Sequence, residues 1–250
     1  MRTVGLIGGV SWHSTLEYYR IINDAVARAR GGAVSAKLVL VSLNFEEVLS
    51  AGRDNRSGEH ARIYVTAARA LQRAGADFIV ICSNSGHRRA DEIEQATGLE
   101  VLHVADVTAR AVKAAGYSRI ALLGTAATME GPFIKGRIES RWHFEVVVPE
   151  DETRRRLDRL ITDEMSRGIF SEEARAFALR AIDRLHREHG AEAAILGCTE
   201  LPILLSGSTS RCPMLDTLRL HAEAAAQWSL LDQSGNHANP RVSNDAAACS

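Results

Sequence analysis

The chain has 250 residues and a formal net charge of -1, because 30 Lys and Arg stand against 31 Asp and Glu. This balance argues against a nucleic-acid-binding protein, no apolar run approaches the ~20 residues of a membrane helix, and four cysteines are too few for a disulfide framework. The composition therefore predicts a soluble, cytoplasmic protein with neither nucleic acid nor membrane as a partner.

Short apolar runs alternate with longer amphipathic stretches along most of the chain. The runs that predict strands are rich in Val, Ile and Leu and lie at residues 3–7, 37–43, 78–82, 119–123, 144–148 and 193–197. The stretches that predict helices lie at residues 14–30, 58–74, 88–97, 104–115, 152–167, 171–188 and 217–230. Because this alternation is typical of parallel sheets covered by helices, it predicts an α/β fold. Residues 232–250 lose the periodicity, and we expect a disordered tail there that includes Cys249.

A weak internal repeat suggests two similar halves. The segment AGADFIVICSNSGH, which contains Cys82, recurs in outline roughly 115 residues later as HGAEAAILGCTELP, which contains Cys198. Each cysteine lies at the carboxyl end of a predicted strand, and open parallel sheets bind ligands at the carboxyl ends of their strands. We therefore predict two Rossmann-like or flavodoxin-like half-domains, with the active site in the cleft between them and a thiol on each wall. The expected domains are residues 1–103 plus 216–231, and residues 104–215.

The side chains that follow the two cysteines suit an anionic substrate. Ser83, Asn84 and Ser85 follow Cys82, and Thr199 follows Cys198. Hydroxyl and backbone N–H groups at the start of a helix bind anions, and the same helix terminus can lower the pKa of a thiol. A thiol placed there can attack or deprotonate the carbon next to a carboxylate. A single cysteine at a strand end is more often a packing residue, but two in equivalent positions favour chemistry.

Four segments of the chain fit one known pattern: GLIGGVSWHSTLEYYR, CSNSGH, IALLGTAATM and LGCTELP. Together they resemble the aspartate/glutamate racemase family, and most closely its PLP-independent, broad-specificity amino-acid racemase branch. The resemblance runs from about residue 1 to residue 230. It implies an isomerase that uses no cofactor or metal and interconverts L and D amino acids, with aspartate or glutamate as first choice. It also implies a homodimer, because members of this family are commonly dimers.

The resemblance assigns roles to individual residues. In this family one cysteine removes the α-proton as a thiolate, and the other, as a thiol, donates a proton to the opposite face. Here these two acid/base groups would be Cys82 and Cys198. The substrate-binding residues expected from the resemblance and its motifs are Val10, Ser11, Arg53, Ser83, Asn84, Ser85, Thr125, Thr199 and Glu200. Among them, Arg53 is the candidate partner for a side-chain carboxylate.

Two glycines depart from the family pattern. Gly86 stands where a bulkier residue is usual, and Gly52 stands where a polar side chain is common. The lost bulk at these positions leaves the identity of the substrate side chain open.

Two other functions remain open from the residues. Cys82 and Arg88 have the spacing of a cysteine-dependent phosphatase loop, in which the thiolate attacks phosphorus and the arginine clamps phosphate. This alternative leaves the second motif, GCTE, without a role. The other alternative is a non-catalytic amino-acid-binding module, in which both thiols would be incidental.

Overall fold

The computed structural model describes residues 1–53 and 57–231 of the chain. The expected tail at residues 232–250, with Cys249, lies outside the described residues. The described chain is an α/β structure with two separate parallel sheets, as the alternation of apolar runs and amphipathic stretches predicts. Within the described ranges, no helix combines the length and the apolar character that crossing a bilayer requires.

The first sheet has three parallel strands. They are β1 (Val4–Gly8), β2 (Leu38–Ser42) and β3 (Phe78–Ile81), in the order β2–β1–β3. In this register, Val4 pairs with Leu38 on one side and with Phe78 on the other. All residues of β1 and β3 are buried, which explains why the sequence shows them as continuous apolar runs.

The second sheet has four parallel strands. They are β4 (Arg119–Leu123), β5 (Glu145–Val147), β6 (Ala193–Leu196) and β7 (Met214–Asp216), in the order β5–β4–β6–β7. The two central strands, β4 and β6, pair from Ile120 with Ala193 to Leu123 with Leu196. The sequence did not predict β7, because a strand of three residues that ends in an aspartate gives no apolar run.

Helices flank both sheets. Those of the described residues are α1 (Trp12–Arg30), α2 (Phe45–Arg53), α3 (Ser57–Arg73), α4 (Ala90–Thr97), α5 (Val104–Ala114), α6 (Ala126–Glu130), α7 (Arg137–Trp142), α8 (Asp151–Arg159), α9 (Glu172–His189), α10 (Leu201–Leu204) and α11 (Thr217–Leu230). The long helices agree with the predicted amphipathic stretches to within a few residues. The short helices α2, α6, α7 and α10 were missed, because one or two turns give little periodicity.

The predicted helix at residues 152–167 is divided into three segments. After α8, the chain forms a π-helical turn at Leu160–Glu164 and a 3-10 turn at Met165–Arg167. Gly168 ends the run in the left-handed region, at φ 80°. A π-helical turn widens the backbone and is often found at functional sites. This one brings Ile161 and Thr162 to the cavity described below, and the 3-10 turn after it brings Ser166.

The last helix connects the two halves. It follows β7 of the second sheet, yet it packs along α1, which follows the first strand of the first sheet. Leu218, Ala222 and Ala225 of α11 lie in one buried cluster with Tyr18 and Ile22 of α1. This packing supports the assignment of residues 216–231 to the first domain, and the domain boundaries stay a proposal.

The turn between β1 and α1 depends on Gly9. Its φ is 90°, and a Cβ placed there would lie 2.2 Å from the carbonyl oxygen of Leu43. The Gly9 N–H donates to Thr15 Oγ1 at 2.9 Å, which ties the turn to the first part of α1. Glycine is needed for this tight approach, and the turn places Val10 and Ser11 at the carboxyl end of β1.

Candidate active site

A cavity of about 100 Å³ lies at the carboxyl ends of strands from both sheets. Residues that follow β1, β3, β4 and β6 all contribute to its wall. The wall residues that the sequence predicted are Val10, Ser11, Ser83, Asn84, Ser85, Thr125, Cys198, Thr199 and Glu200. Those that it missed are Phe45, Leu49, Thr128, Ile161, Thr162, Ser166 and Gly197.

Arg53 is the remaining predicted binding residue. It is the last residue of α2, and its side chain lies outside the described part of the structure. Its pairing with a substrate carboxylate therefore stays a prediction. Phe45 and Leu49 precede it on the same helix, and α2 as a whole was missed because its sequence, FEEVLSAGR, is short and carries charges at its start and a glycine near its end.

Cys198 lies at the cavity and contacts a buried carboxylate. Its sulfur donates a hydrogen bond to Glu200 Oε2 at 2.7 Å, and Thr199 Oγ1 donates to the same oxygen at 3.0 Å. Ser14, on α1, donates from its Oγ to Thr199 Oγ1 at 2.7 Å. Cys198, Thr199, Glu200 and Ser14 are all buried, so these hydrogen bonds hold the thiol in a fixed position.

The surroundings of Cys198 keep it protonated. Burial, the nearby charge of Glu200 and the hydrogen bond to Glu200 raise the pKa of the Cys198 thiol well above its usual range. At neutral pH the group is therefore a thiol that can give a proton. In the structure the sulfur of Cys198 donates this proton in a hydrogen bond to Glu200.

Cys82 follows β3 directly, and its backbone N–H donates to the carbonyl of Ile7 at 2.9 Å. Its side chain is 1% exposed and lies in the buried cluster that contains Tyr18 and Val80. Burial raises the pKa of the Cys82 thiol well above its usual range. Of Cys82 and Cys198, only Cys198 lines the cavity, although the residues after Cys82, Ser83 and Asn84, also line it. The role of Cys82 stays a prediction.

Two polar atoms on the cavity residues have no hydrogen-bond partner among the described residues: Ser11 Oγ and Asn84 Oδ1. The hydroxyl of Ser83 lies beside Tyr64 and forms a side-chain hydrogen bond with it. The other end of the Asn84 amide is fixed, because its Nδ2 donates to Thr217 Oγ1 at 2.9 Å and that hydroxyl donates to the Leu196 carbonyl at 2.7 Å. Leaving a buried polar atom unpaired costs about 1–3 kcal/mol. Ser11 Oγ and Asn84 Oδ1 therefore suit a polar ligand with both donors and acceptors.

The turn after Cys82 is held by a buried histidine. His87 lies in the 3-10 segment Ser85–Arg89, and its Nδ1 is 3.0 Å from the carbonyl oxygen of Ser83. Burial lowers the pKa of His87 to about 4, so the ring is neutral at neutral pH and its Nδ1–H donates to that carbonyl. The residue fixes the turn that carries Ser83 and Asn84.

The two glycines that depart from the family pattern do not line the cavity. A Cβ on Gly86 would lie 2.7 Å from Ile81 Cγ2 and 2.8 Å from both Ser83 Oγ and Tyr64 Cε1. Gly52 is exposed, and a Cβ there would lie at ordinary contact distance, 3.6 Å, from Nη2 of Arg88. The space beside Gly86 is therefore filled by its neighbours, and neither glycine enlarges the cavity.

Arg88 is directed away from the cavity. Its Nη2 lies 2.9 Å from Nε2 of His60, and the residue lines a separate groove with His103 and Arg137. Among the described residues that line the cavity there is no arginine. The cavity thus lacks the phosphate clamp that the phosphatase alternative requires of Arg88.

The comparison with known families agrees with this site. The chain matches the family model described as Asp/Glu/Hydantoin racemase over residues 7–225. It therefore belongs to the Asp/Glu/Hydantoin racemase family, as its motifs imply, and is an isomerase of the racemase type.

Several proteins of known structure or sequence are similar to this chain. A provisionally assigned Asp/Glu racemase from Yersinia pestis is 41% identical, with a TM-score of 0.85 over 92% of this chain and 100% of that one. An aspartate racemase homologue from Pyrococcus horikoshii is 29% identical, with a TM-score of 0.77 over 92% and 99% of the two chains. The broad specificity amino-acid racemase RacX of Bacillus subtilis is 22% identical over 70% of this chain and 75% of its own length.

The environments of the two thiols predict different reactivities. We expect iodoacetamide to modify Cys198 faster than Cys82, because Cys198 lines the cavity and Cys82 is buried in the core. In a Glu200→Gln variant, modification of Cys198 at neutral pH should become faster, because the charge that raises the pKa of its thiol is removed. Mass spectrometry of peptides sampled over time measures both rates.

Cys212 is the internal control for this experiment, because it is buried in the second half and does not line the cavity. Its rate should be the same in the parent chain and in the Glu200→Gln variant. Faster modification of Cys82 than of Cys198 would contradict the placement of the two thiols.

Proposed function

We propose that the chain racemises an amino acid without PLP or another cofactor, by proton transfer at the α carbon between Cys82 and Cys198. The observation that carries this proposal is the position of the Cys198 thiol at a cavity whose wall also holds unpartnered polar atoms. Family membership supports the reaction class. The finer claims, namely the two-thiol mechanism and the substrate, are those that the resemblance of the motifs implies.

The polar atoms of the cavity suit the two charged groups of an amino acid. Asn84 Oδ1 can only accept a hydrogen bond, so it is the natural partner of the α-ammonium group. The hydroxyl of Ser11 can donate to the α-carboxylate. Donors aimed at the carboxylate stabilise the carbanion that forms when the α-proton leaves, and this carbanion is the main energetic obstacle for an enzyme without a cofactor.

Racemisation needs one base and one acid on opposite faces of the α carbon. We propose that Cys82, as a thiolate, takes the α-proton and that the Cys198 thiol gives its proton to the other face. Cys198 is then the thiolate and can act as the base in the reverse direction. Because Cys82 does not line the cavity and burial raises the pKa of its thiol, the proposal requires a rearrangement of the wall at Ser83 and Asn84 that brings its sulfur to the substrate and allows it to ionise.

Proton NMR in D2O without added PLP tests the proposal directly. When the amino acid is a substrate, its α-proton signal should disappear while the opposite enantiomer forms. Cys82→Ser and Cys198→Ser variants should lose racemisation by about 10²-fold or more, because a serine hydroxyl is a far weaker acid than a thiol. Aspartate and glutamate come first in the test, since the resemblance implies them and Arg53 is their expected partner.

Cys212→Ser is the matched control, since Cys212 is buried away from the cavity. It should racemise as the parent chain does. If either cysteine variant at the site still interconverts the enantiomers, the two-thiol account is wrong. If the chain binds amino acids but exchanges no α-proton, the non-catalytic binding module is the better account.

We also propose that the chain forms a homodimer through the exposed face of α1. Trp12, Leu16 and Tyr19 lie on one face of this helix and are 58%, 58% and 54% exposed. Beside them, Arg20 pairs with Glu17 at 2.7 Å and with Asp24 at 2.8 Å. The charges next to the apolar stripe are thus balanced within the chain, which suits contact with the same surface of a second copy.

Light scattering after size-exclusion chromatography tests the dimer. The parent chain should have twice the mass of one chain, and Leu16→Arg should shift it to the monomer, because the variant places a charge in the apolar stripe. Ile203→Arg changes an exposed apolar residue elsewhere and should leave the dimer intact. A monomeric parent chain would contradict the proposal.

The cytoplasmic location expected from the composition also stays a proposal, which cell fractionation would check.

A further inference from the structure

A groove lies away from the catalytic cavity, between α5 and the end of α7. Its volume is about 470 Å³, against about 100 Å³ for the cavity at the strand ends, and the two share no lining residue. This volume is typical of small-molecule sites. None of the four motif segments contributes to its wall, so the proposed racemisation gives this α5–α7 groove no role.

One wall of the α5–α7 groove is a charged face of α5. Asp106, Arg110 and Lys113 are four and three residues apart, so they lie on the same face of this helix. Arg110 and Lys113 are exposed and form no ion pair with any of the described residues. Arg141, which is also exposed, adds a third positive charge from α7.

The carboxylate that lines the groove is already paired. Oδ2 of Asp106 accepts hydrogen bonds from Arg137 at 2.7 and 3.1 Å, and Oδ1 accepts one from Trp142 Nε1 at 3.1 Å. Burial favours the protonated form of Asp106, but the hydrogen bonds from Arg137 and Trp142 lower the pKa of its carboxyl, so it is ionised. Arg141 lies 3.9 Å from the same Oδ2, at the limit of an ion pair. Since Arg137 already balances Asp106, the groove keeps an excess of positive charge.

Two aromatic side chains also line the groove. Trp142 ends α7, and Phe144 comes just before β5. Both pack against the buried cluster of the second sheet and are themselves only partly buried. The hydrogen bond to Asp106 fixes the indole of Trp142. Fixed aromatic rings beside positive charges suit a ligand that has both a planar ring and an anionic group.

The backbone at His143 is the third feature that indicates a ligand. Its φ is 58°, and among the described residues it is the only residue other than glycine with a positive φ. The left-handed caps of α4 and α9 are glycines, Gly98 and Gly190. A histidine in this conformation is strained relative to glycine, and such strain is concentrated at ligand sites. The side chain that it retains lines the groove.

We propose that the α5–α7 groove binds a phosphate ester of a planar ring, of the class of the nucleoside monophosphates. A phosphate group carries nearly two negative charges at neutral pH, and Arg110, Lys113 and Arg141 supply three positive ones. The ring would pack against Trp142 and Phe144. This site is independent of the proposed racemisation and stands or falls without it.

Fluorescence titration of the full chain with adenosine monophosphate (AMP) tests the site, because a ring stacked on Trp142 should quench the indole. Adenosine has the same ring without the phosphate and should bind at least about tenfold more weakly, because it makes no contact with the cations. Added salt should weaken the binding of AMP. Trp142 is one of three tryptophans, and Trp142→Phe should abolish the quenching. Equal binding of adenosine and AMP would overturn the proposal.

A pair of double variants locates the site. Arg110→Gln with Lys113→Gln should weaken AMP binding at least about tenfold and leave the midpoint of thermal unfolding unchanged, because both side chains are exposed. Arg28→Gln with Lys37→Gln removes the same charge from exposed positions of the first half and should leave AMP binding as it is. If the first double variant binds AMP as tightly as the parent chain, the ligand lies elsewhere and the proposal is wrong.

His143→Gly separates strain from binding. Glycine adopts a φ of 58° without strain, so the variant should unfold at a higher temperature than the parent chain. It should also bind AMP about threefold or more weakly, because the ring that lines the groove is lost. A variant that is more stable and binds AMP as tightly as the parent chain would contradict the role of His143 in the site.

Discussion

Parallel strands direct all of their carboxyl ends toward one edge of a sheet, and this constraint determines where the chain can do chemistry. In this protein the residues after β1 and β3 of one sheet and after β4 and β6 of the other meet at a single cavity. Motifs far apart in the sequence are therefore close in space. The Ser14 hydroxyl of the first half, for example, lies 2.7 Å from Thr199 Oγ1 of the second half.

The contact between Cys198 and Glu200 determines the protonation state of the thiol at this cavity. A carboxylate 2.7 Å from the sulfur raises the pKa of the Cys198 side chain, so this residue is a thiol in the resting protein. A two-base racemase needs this asymmetry, with one thiol and one thiolate at the moment of reaction.

The sequence predicted the strands and motif residues that a local pattern reveals. It did not predict the cavity residues whose positions depend on packing between distant segments. Buried strands such as β1 and β3 and the motif residues from Ser83 to Thr199 were found because they lie in apolar runs and recognisable turns. The contributions of Leu49 and Ile161 were missed, because a short helix and a π-helical turn leave no periodic signal. The space beside Gly86 is filled by Tyr64 from α3, which no local pattern at Gly86 reveals.

The central claim is that two groups on opposite faces of the α carbon exchange its proton, and the isotope content of both enantiomers at early conversion tests it most directly. An L amino acid with protium at the α carbon is converted in D2O, and the reaction is stopped after a few per cent of turnover. The account predicts deuterium at the α carbon of the D product, while the recovered L substrate keeps its protium, because each face is served by its own thiol. Protium retained in the D product, or deuterium entering the recovered L substrate as fast as the product, would show that a single base serves both faces and would contradict the account.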